Sequence, residues 1–191
     1  MNDHWTYLPY HRPSSRAEFD AWLQERRATR PDPFIYAIVD SHGEAQGIIA
    51  YLNGSPKNGS IETGHVLFGP NLQHTKLATE AQCALAKHAF EDLGYKRLEW
   101  KCDSLNVHSK RAAERLGYSY EGLFRSHWIY KGRGRDTIWL AMVDYDWPVI
   151  KRGFETWLAP ENFDKHSRQV RNLEACRKQA VTDMKANENA P

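Results

Sequence analysis

At 191 residues, 41% hydrophobic and 26% charged, the chain is sized for one globular domain with peripheral segments. A formal net charge of +2 is too small to imply a nucleic-acid partner. No run approaches the roughly 18 apolar residues of a membrane-spanning helix. The three cysteines, Cys83, Cys102 and Cys176, share no metal-ligand spacing and argue against a disulfide framework.

Met1 to Pro13 is aromatic and histidine-rich without periodicity, which predicts an extended arm lying on the domain. Neither a basic leader nor an apolar core opens it, so the expectation is a cytoplasmic protein. Ser15-Arg16-Ala17-Glu18 reads as a capping box before the apolar face of Phe19, Trp22 and Leu23. Phe34–Asp40, Gln46–Asn53 and Ser60–Phe68 read as strands joined by turn-forming residues, an antiparallel meander. From Lys76 the period changes: Leu77, Ala81, Leu85, Ala89 and Leu93 recur every four residues, the stripe of a helix about five turns long. Gly94 stops it. Lys96–Cys102 alternates as a strand, at the distance a parallel neighbour of Ser60–Phe68 requires. A helix with Ala112, Ala113 and Leu116 inward ends at Gly117. Strands over Tyr118–Tyr130 and Asp136–Asp146 flank Lys131-Gly132-Arg133-Gly134-Arg135, read as a hairpin tip. Trp147–Leu158 is a last apolar-striped helix. Residues 159–191 form a charged extension, with a short helix around Val170, Leu173 and Cys176 and a frayed end from Thr182. The fold class is mixed α/β.

Between the Ser60 strand and its helix lies Gly69-Pro70-Asn71-Leu72-Gln73-His74-Thr75. A strand feeding a loop that opens a helix leaves backbone N–H groups pointing out of the helix start, an anion site suited to phosphate. The run from Gln73 to Ala81 resembles the acyl-CoA signature of the GNAT acyltransferase superfamily, Gln/Arg-x-x-Gly-x-Gly/Ala, here Gln73-x-x-Lys76-x-Ala78. Ala78-Thr79-Glu80-Ala81, and the block from Asn106 to Gly117-Tyr118, are similar to the RimJ/RimL-like branch. The resemblance covers Pro31 to Leu158 and departs from the family at Lys76, where glycine is usual. It implies a central, mostly antiparallel sheet whose one parallel pair splays apart to admit pantetheine. It makes residues 1–158 the acetyltransferase domain.

The resemblance also implies roles. Loop residues Gln73, His74, Thr75, Lys76, Leu77, Ala78 and Thr79 would hold the phosphates of acetyl-CoA, the only cosubstrate expected, with no metal. Strand-edge N–H groups near Val66 and Leu67 would pair with pantetheine and polarise the thioester, with Asn106 as helix cap and pantetheine contact. An alkylammonium with a pKa of about 10.4 needs a base or water relay, for which Glu62 and His65 are candidates. They fall on opposite faces of a regular strand, and each is equally readable as a structural side chain. The tyrosine that many members use as acid corresponds to Ala113. Ser109, in the Asn-x-x-Ser block, either serves the departing thiolate or supports its helix start.

The expectation is an N-acetyltransferase acting on a primary amine, a protein N-terminus or a small molecule, as monomer or homodimer and without membrane or nucleic-acid partners. The alternatives are a CoA-binding sensor without turnover and an RNA-associated module resting on the basic hairpin.

Overall fold

The computed structural model describes residues 5–28 and 33–188. Its elements are α1 (Arg16–Ala28), β1 (Phe34–Val39), β2 (Ala45–Ser55), β3 (Ser60–Phe68), α2 (Lys76–Lys87), β4 (Arg97–Asp103), α3 (Val107–Leu116), β5 (Ser119–Tyr130), β6 (Arg133–Val143), α4 (Trp147–Leu158) and α5 (Leu173–Glu188). The strands form one sheet in the order β1-β2-β3-β4-β6-β5. Only β3 and β4 are parallel; every other neighbouring pair is antiparallel. This is the mixed α/β arrangement that the order of apolar periods predicts.

One face of the sheet is the core. Leu98, Trp100, Leu140 and Met142 project into it and pack under α2, α3 and α4 through Leu85, Ala89, Leu116 and Phe154, all buried. Tyr51 on β2 joins the same face, donating to the Leu85 carbonyl at 2.5 Å. The other face carries Arg97, Glu99 and Lys101 of β4 and Trp139 of β6, in register with one another across the pair.

Three expectations change. The stripe from Leu77 to Leu93 is not one α-helix: after Lys87 the backbone widens into a π-helical turn over His88–Asp92 before Gly94 (φ 70°) ends it. The hairpin tip shrinks from five residues to two. Only Lys131 (φ 49°) and Gly132 (φ 72°) take the left-handed conformation of a tight two-residue hairpin turn, and β6 begins at Arg133. Arg133 and Arg135 therefore belong to a sheet face, which removes the solvated basic tip on which an RNA contact rested. In the extension the helix is longer than the sequence suggests and runs past Thr182 to Glu188. Leu173, Cys176 and Ala180 bury one side of it. At Gly153 of α4 a Cβ would stand 3.0 Å from the Arg177 Cα, so α4 and α5 approach closely only because a side chain is missing there. Arg177 then donates to the Arg115 and Glu114 carbonyls at the end of α3, at 2.9 and 3.4 Å, where a cation also complements the helix dipole.

Candidate active site

β3 and β4 pair only from Ser60↔Arg97 to Thr63↔Trp100. Beyond that point β3 continues to Phe68 along β2, and β4 continues to Asp103 along β6. The two strands thus part with their outer edges still held, leaving a gap whose β3 side is Gly64–Phe68. Strand backbone groups alternate in direction, so some N–H and C=O groups of this segment face the gap instead of a β4 ladder.

The β3 lip is also irregular. Between Ala50↔Gly64 and Ile48↔Leu67, β2 advances two residues while β3 advances three, a β-bulge centred on His65 (φ 45°). A regular strand would put Glu62 and His65 on opposite faces. The bulge instead turns His65 onto the N-terminal arm and α1. Its Nδ1 is 2.8 Å from the Tyr10 hydroxyl, and the rings of Tyr10 and Trp22 lie 5.4 and 5.9 Å away. Burial, and then the positive charge of Arg26, push the His65 pKa down to about 4, so the imidazole is neutral near pH 7.

Glu62, 6% exposed, sits one residue before the gap opens. Its Oε2 accepts from Asn53 and Lys101, both at 2.7 Å, and Lys101 also pairs with Glu99 at 2.9 Å. Oε1 carries no hydrogen bond to a described residue. It lies beside Gly64, the first residue of the β3 lip, where a Cβ would be 3.9 Å away. The carboxylate is thus anchored by one oxygen, and the other lies beside the first residue of the β3 lip.

At the carboxyl end of β3, Leu72 and Gln73 N–H groups turn back onto the Gly69 carbonyl, and Gln73 Nε2 donates to the Phe68 carbonyl at 3.1 Å. Gln73 thus holds the loop to the strand. His74 (φ 61°) makes the sharp bend, and Thr75 caps α2, its Oγ1 accepting from the Ala78 N–H at 3.1 Å. Lys76 and Leu77, the first helical residues, keep N–H groups without intrahelical partners at the positive end of the dipole. The glycine-to-lysine departure carries no backbone strain, because the positive φ belongs to His74 and not to Lys76. The Lys76 ammonium rests 4.7 Å over the Phe163 ring of the extension. Ala78 and Thr79 are buried, and the Thr79 hydroxyl accepts from Arg115 at 3.2 Å. Val66 and Leu67 lie just past the bulge, half-buried.

Across the gap, Asn106 Oδ1 accepts from the Ser109 N–H at 3.1 Å and caps α3. The Ser109 hydroxyl accepts from the Trp100 indole at 3.0 Å, which fixes the oxygen, and its proton turns to the Cys102 sulfur, which it must leave to serve another acceptor. Ala113 is fully buried.

Two contacts at the gap were not foreseen from the sequence, although the arm itself was expected to lie on the domain. Tyr118, noted there only after a helix stop, places its hydroxyl 3.1 Å from Thr63 Oγ1, where the strands part; burial raises its pKa well above the ordinary value. The arm is the other. Tyr7 donates to the Leu105 carbonyl at 3.0 Å, the Trp5 carbonyl accepts from Lys131 at 2.6 Å, and Tyr10 reaches His65. It therefore bridges the β3 lip, the end of β4 and the hairpin tip. Its aromatic, proline-punctuated composition was the only signal.

A profile of the Acetyltransferase (GNAT) domain matches residues 1–119, more than half of the chain. The chain belongs to the GNAT acetyltransferase family. It is similar, at 41% identity and a TM-score of 0.88, to the crystal structure of a GCN5-related N-acetyltransferase from Brucella melitensis, over 92% of this chain and 79% of that one. A GNAT-family structure from Chromobacterium violaceum shares 41% identity with a TM-score of 0.71, over 75% of this chain and 72% of its own. Among curated proteins, the SPbeta prophage-derived uncharacterized N-acetyltransferase YokL of Bacillus subtilis (strain 168) is 27% identical over 132 residues, 69% of this chain and 73% of its own length. In this GNAT chain the strands β3 and β4 part beside the capped start of α2. No group of metal-ligating side chains occurs among the described residues, and no described helix is long and apolar enough to cross a membrane.

Proposed function

We propose that this GNAT protein is an acetyl-CoA-dependent N-acetyltransferase that acetylates a primary amine, of the RimJ/RimL-like branch that its motifs resemble. The observation that carries the reading is the gap that opens after Thr63 and Trp100 beside the α2 helix start. The amides of Lys76 and Leu77, with the capped loop 73–79, bind the pyrophosphate. The gap-facing backbone of Gly64–Phe68, including Val66 and Leu67, pairs with pantetheine, and one of its N–H groups polarises the thioester carbonyl. Asn106 flanks pantetheine from the opposite lip.

The amine nitrogen attacks the carbonyl carbon. A C–N bond forms, the C–S bond breaks, and the thiolate leaves with the electron pair. Glu62 is the better of the two bases, because its Oε1 lies beside Gly64 at the start of the gap while its charge is held by Lys101. It takes the amine proton through water. His65, with a pKa near 4 and one ring nitrogen engaged by Tyr10, shapes the acceptor side instead. The Ser109 proton hydrogen-bonds the departing thiolate until solvent protonates it.

Acetyl-CoA-dependent thiol release across a panel of amines tests the reading. Turnover with at least one amine, lost in Glu62→Gln with CoA affinity retained, is the expected result. Tight CoA binding with no turnover of any amine would make the protein a sensor, the outcome that Ala113 at the usual tyrosine position favours.

A further inference from the structure

The open face of the sheet has an unbalanced set of charges. Each carboxylate on it already has a cation: Glu62 and Glu99 hold Lys101, Glu99 and Glu121 hold Arg97, and Asp103 holds Arg133 at 2.8 Å. Among the described residues, the strand cation Arg135 has no anion. Arg135, on the same row of β6 as Thr137 and Trp139, is only 9% exposed and forms no ion pair or hydrogen bond with any described residue. Its guanidinium is flanked by the rings of Trp128 and Tyr130, at 5.4 and 5.8 Å, and its Nε is buried without a partner. The buried Nε–H, flanked by ring faces and without a partner, keeps a desolvation cost that an acceptor would relieve.

A second donor on that row is in the same condition. The Trp139 indole N–H is buried and unpartnered, although its ring is stacked by Phe124 at 4.7 Å and covered by the Lys101 ammonium at 4.0 Å. Trp139 is opposite Lys101, one residue past the last β3–β4 pair, so it borders the reacting end of the gap. Arg135 lies farther out, about 13 Å along the strand at roughly 3.3 Å per residue. Unpartnered donors at both ends of the row suit a ligand rich in acceptors. Among the described residues, the carboxylates Glu62, Glu99, Glu121 and Asp103 are each already ion-paired, which disfavours a polyamine.

Building on the acetyltransferase reading, we propose that Arg135 receives a carboxylate of the acceptor. The substrate is then a small amine that also bears an acid, of amino-acid or dipeptide size. Its amine reaches Glu62 and the thioester past Trp139. Its carboxylate takes the planar donor fork of Arg135, which the Trp128 ring keeps flat and oriented. The half-exposed rings of Phe124 and Trp128 offer an apolar wall between these points. The other anion available is a CoA phosphate, but the phosphate loop opens α2, which packs on the opposite face of the sheet.

The test pairs acids with their carboxamides: L-phenylalanine against phenylalaninamide, and glycyl-phenylalanine against its amide, with acetyl-CoA and the full chain. For the parent, kcat/KM for an acid should exceed that for its amide by roughly 10- to 100-fold, the worth of a charge-assisted bond to a buried cation. In Arg135→Gln that ratio should collapse toward one, and Arg135→Lys should keep part of it. Heat denaturation supplies the second readout: each acid should raise the Tm of the parent more than its amide does, and not that of Arg135→Gln. This arm decides the matter even if no amine is turned over, which would sink the transferase reading alone. Equal ratios in parent and Arg135→Gln, or no preference for either acid, would overturn the proposal. So would a loss of CoA stabilisation in both Arg135 variants, which would assign the anion to a CoA phosphate.

Discussion

The two faces of the sheet are built from the same strands and divide the labour. On β4, Leu98 and Trp100 point to a face sealed by helices, where apolar area and packing stabilise the fold. Glu99 and Lys101, their sequence neighbours, point to the face that the arm crosses, where ion pairs and ring contacts fix groups around the gap. Substitution on the sealed face should cost stability without changing acceptor choice. On the open face the two effects should be coupled, because charges that orient the site are themselves half-buried.

The largest effect expected comes from the open face. Lys101→Met leaves Glu62 buried without its cation and should cost about 3–5 kcal/mol in urea unfolding. Adding Glu62→Gln should recover most of that loss while removing the proposed base. If the single change costs under 1 kcal/mol, the pair is solvated and the distinction between the faces weakens. On the sealed face, Leu98→Ala removes a fully buried side chain and should cost about 3 kcal/mol. The acid-to-amide preference of the folded variant should be unaltered.

The third prediction concerns pH. The folded-state pKa of His65, about 4, lies below its unfolded value of about 6.5, so the unfolded chain binds the proton more readily. The stability it secures is complete above pH 6.5 and is lost as pH falls toward 4, by about 3 kcal/mol at most. His65→Asn, which tolerates positive φ, should flatten the Tm profile between those values. An unchanged slope would show that other groups govern it. The smallest effect is at the helix start. Lys76→Glu sets a negative charge beside the expected phosphates and should weaken CoA roughly fivefold, about 1 kcal/mol. Lys76→Gly should bind nearly as well as the parent.

How much of this was legible depended on whether the signal was local. Periodicity located α2 and β4, and the length of the crossover implied their parallel strands; the cap residues Thr75 and Asn106 sat where a helix start needs them. The bulge at His65 was invisible because it is a property of register: nothing in Gly64-His65-Val66 states that β2 advances by one residue fewer. The hairpin tip was misread for a local reason. Lys131-Gly132-Arg133-Gly134-Arg135 has loop composition, yet Gly134 takes no left-handed conformation and the arginines are strand residues facing Asp103 and Trp128. Residue type there reports the needs of the site, and propensity was the weaker influence. Arg135 was read in consequence only as part of a basic tip for RNA, and not as a residue of the sheet face beside the gap.

That two-residue turn has a bearing on what length changes the protein tolerates. Strand side chains alternate, so one residue inserted after Gly132, if the β5–β6 pairing slipped to absorb it, would exchange the two faces of β6. Arg135, Thr137 and Trp139 would rotate into the helix-covered core, and Ile138, Leu140 and Met142 would turn outward. Insertions at this loop should therefore be poorly tolerated in single steps, whereas a two-residue extension that leaves the register intact should fold and keep the row of donors in place.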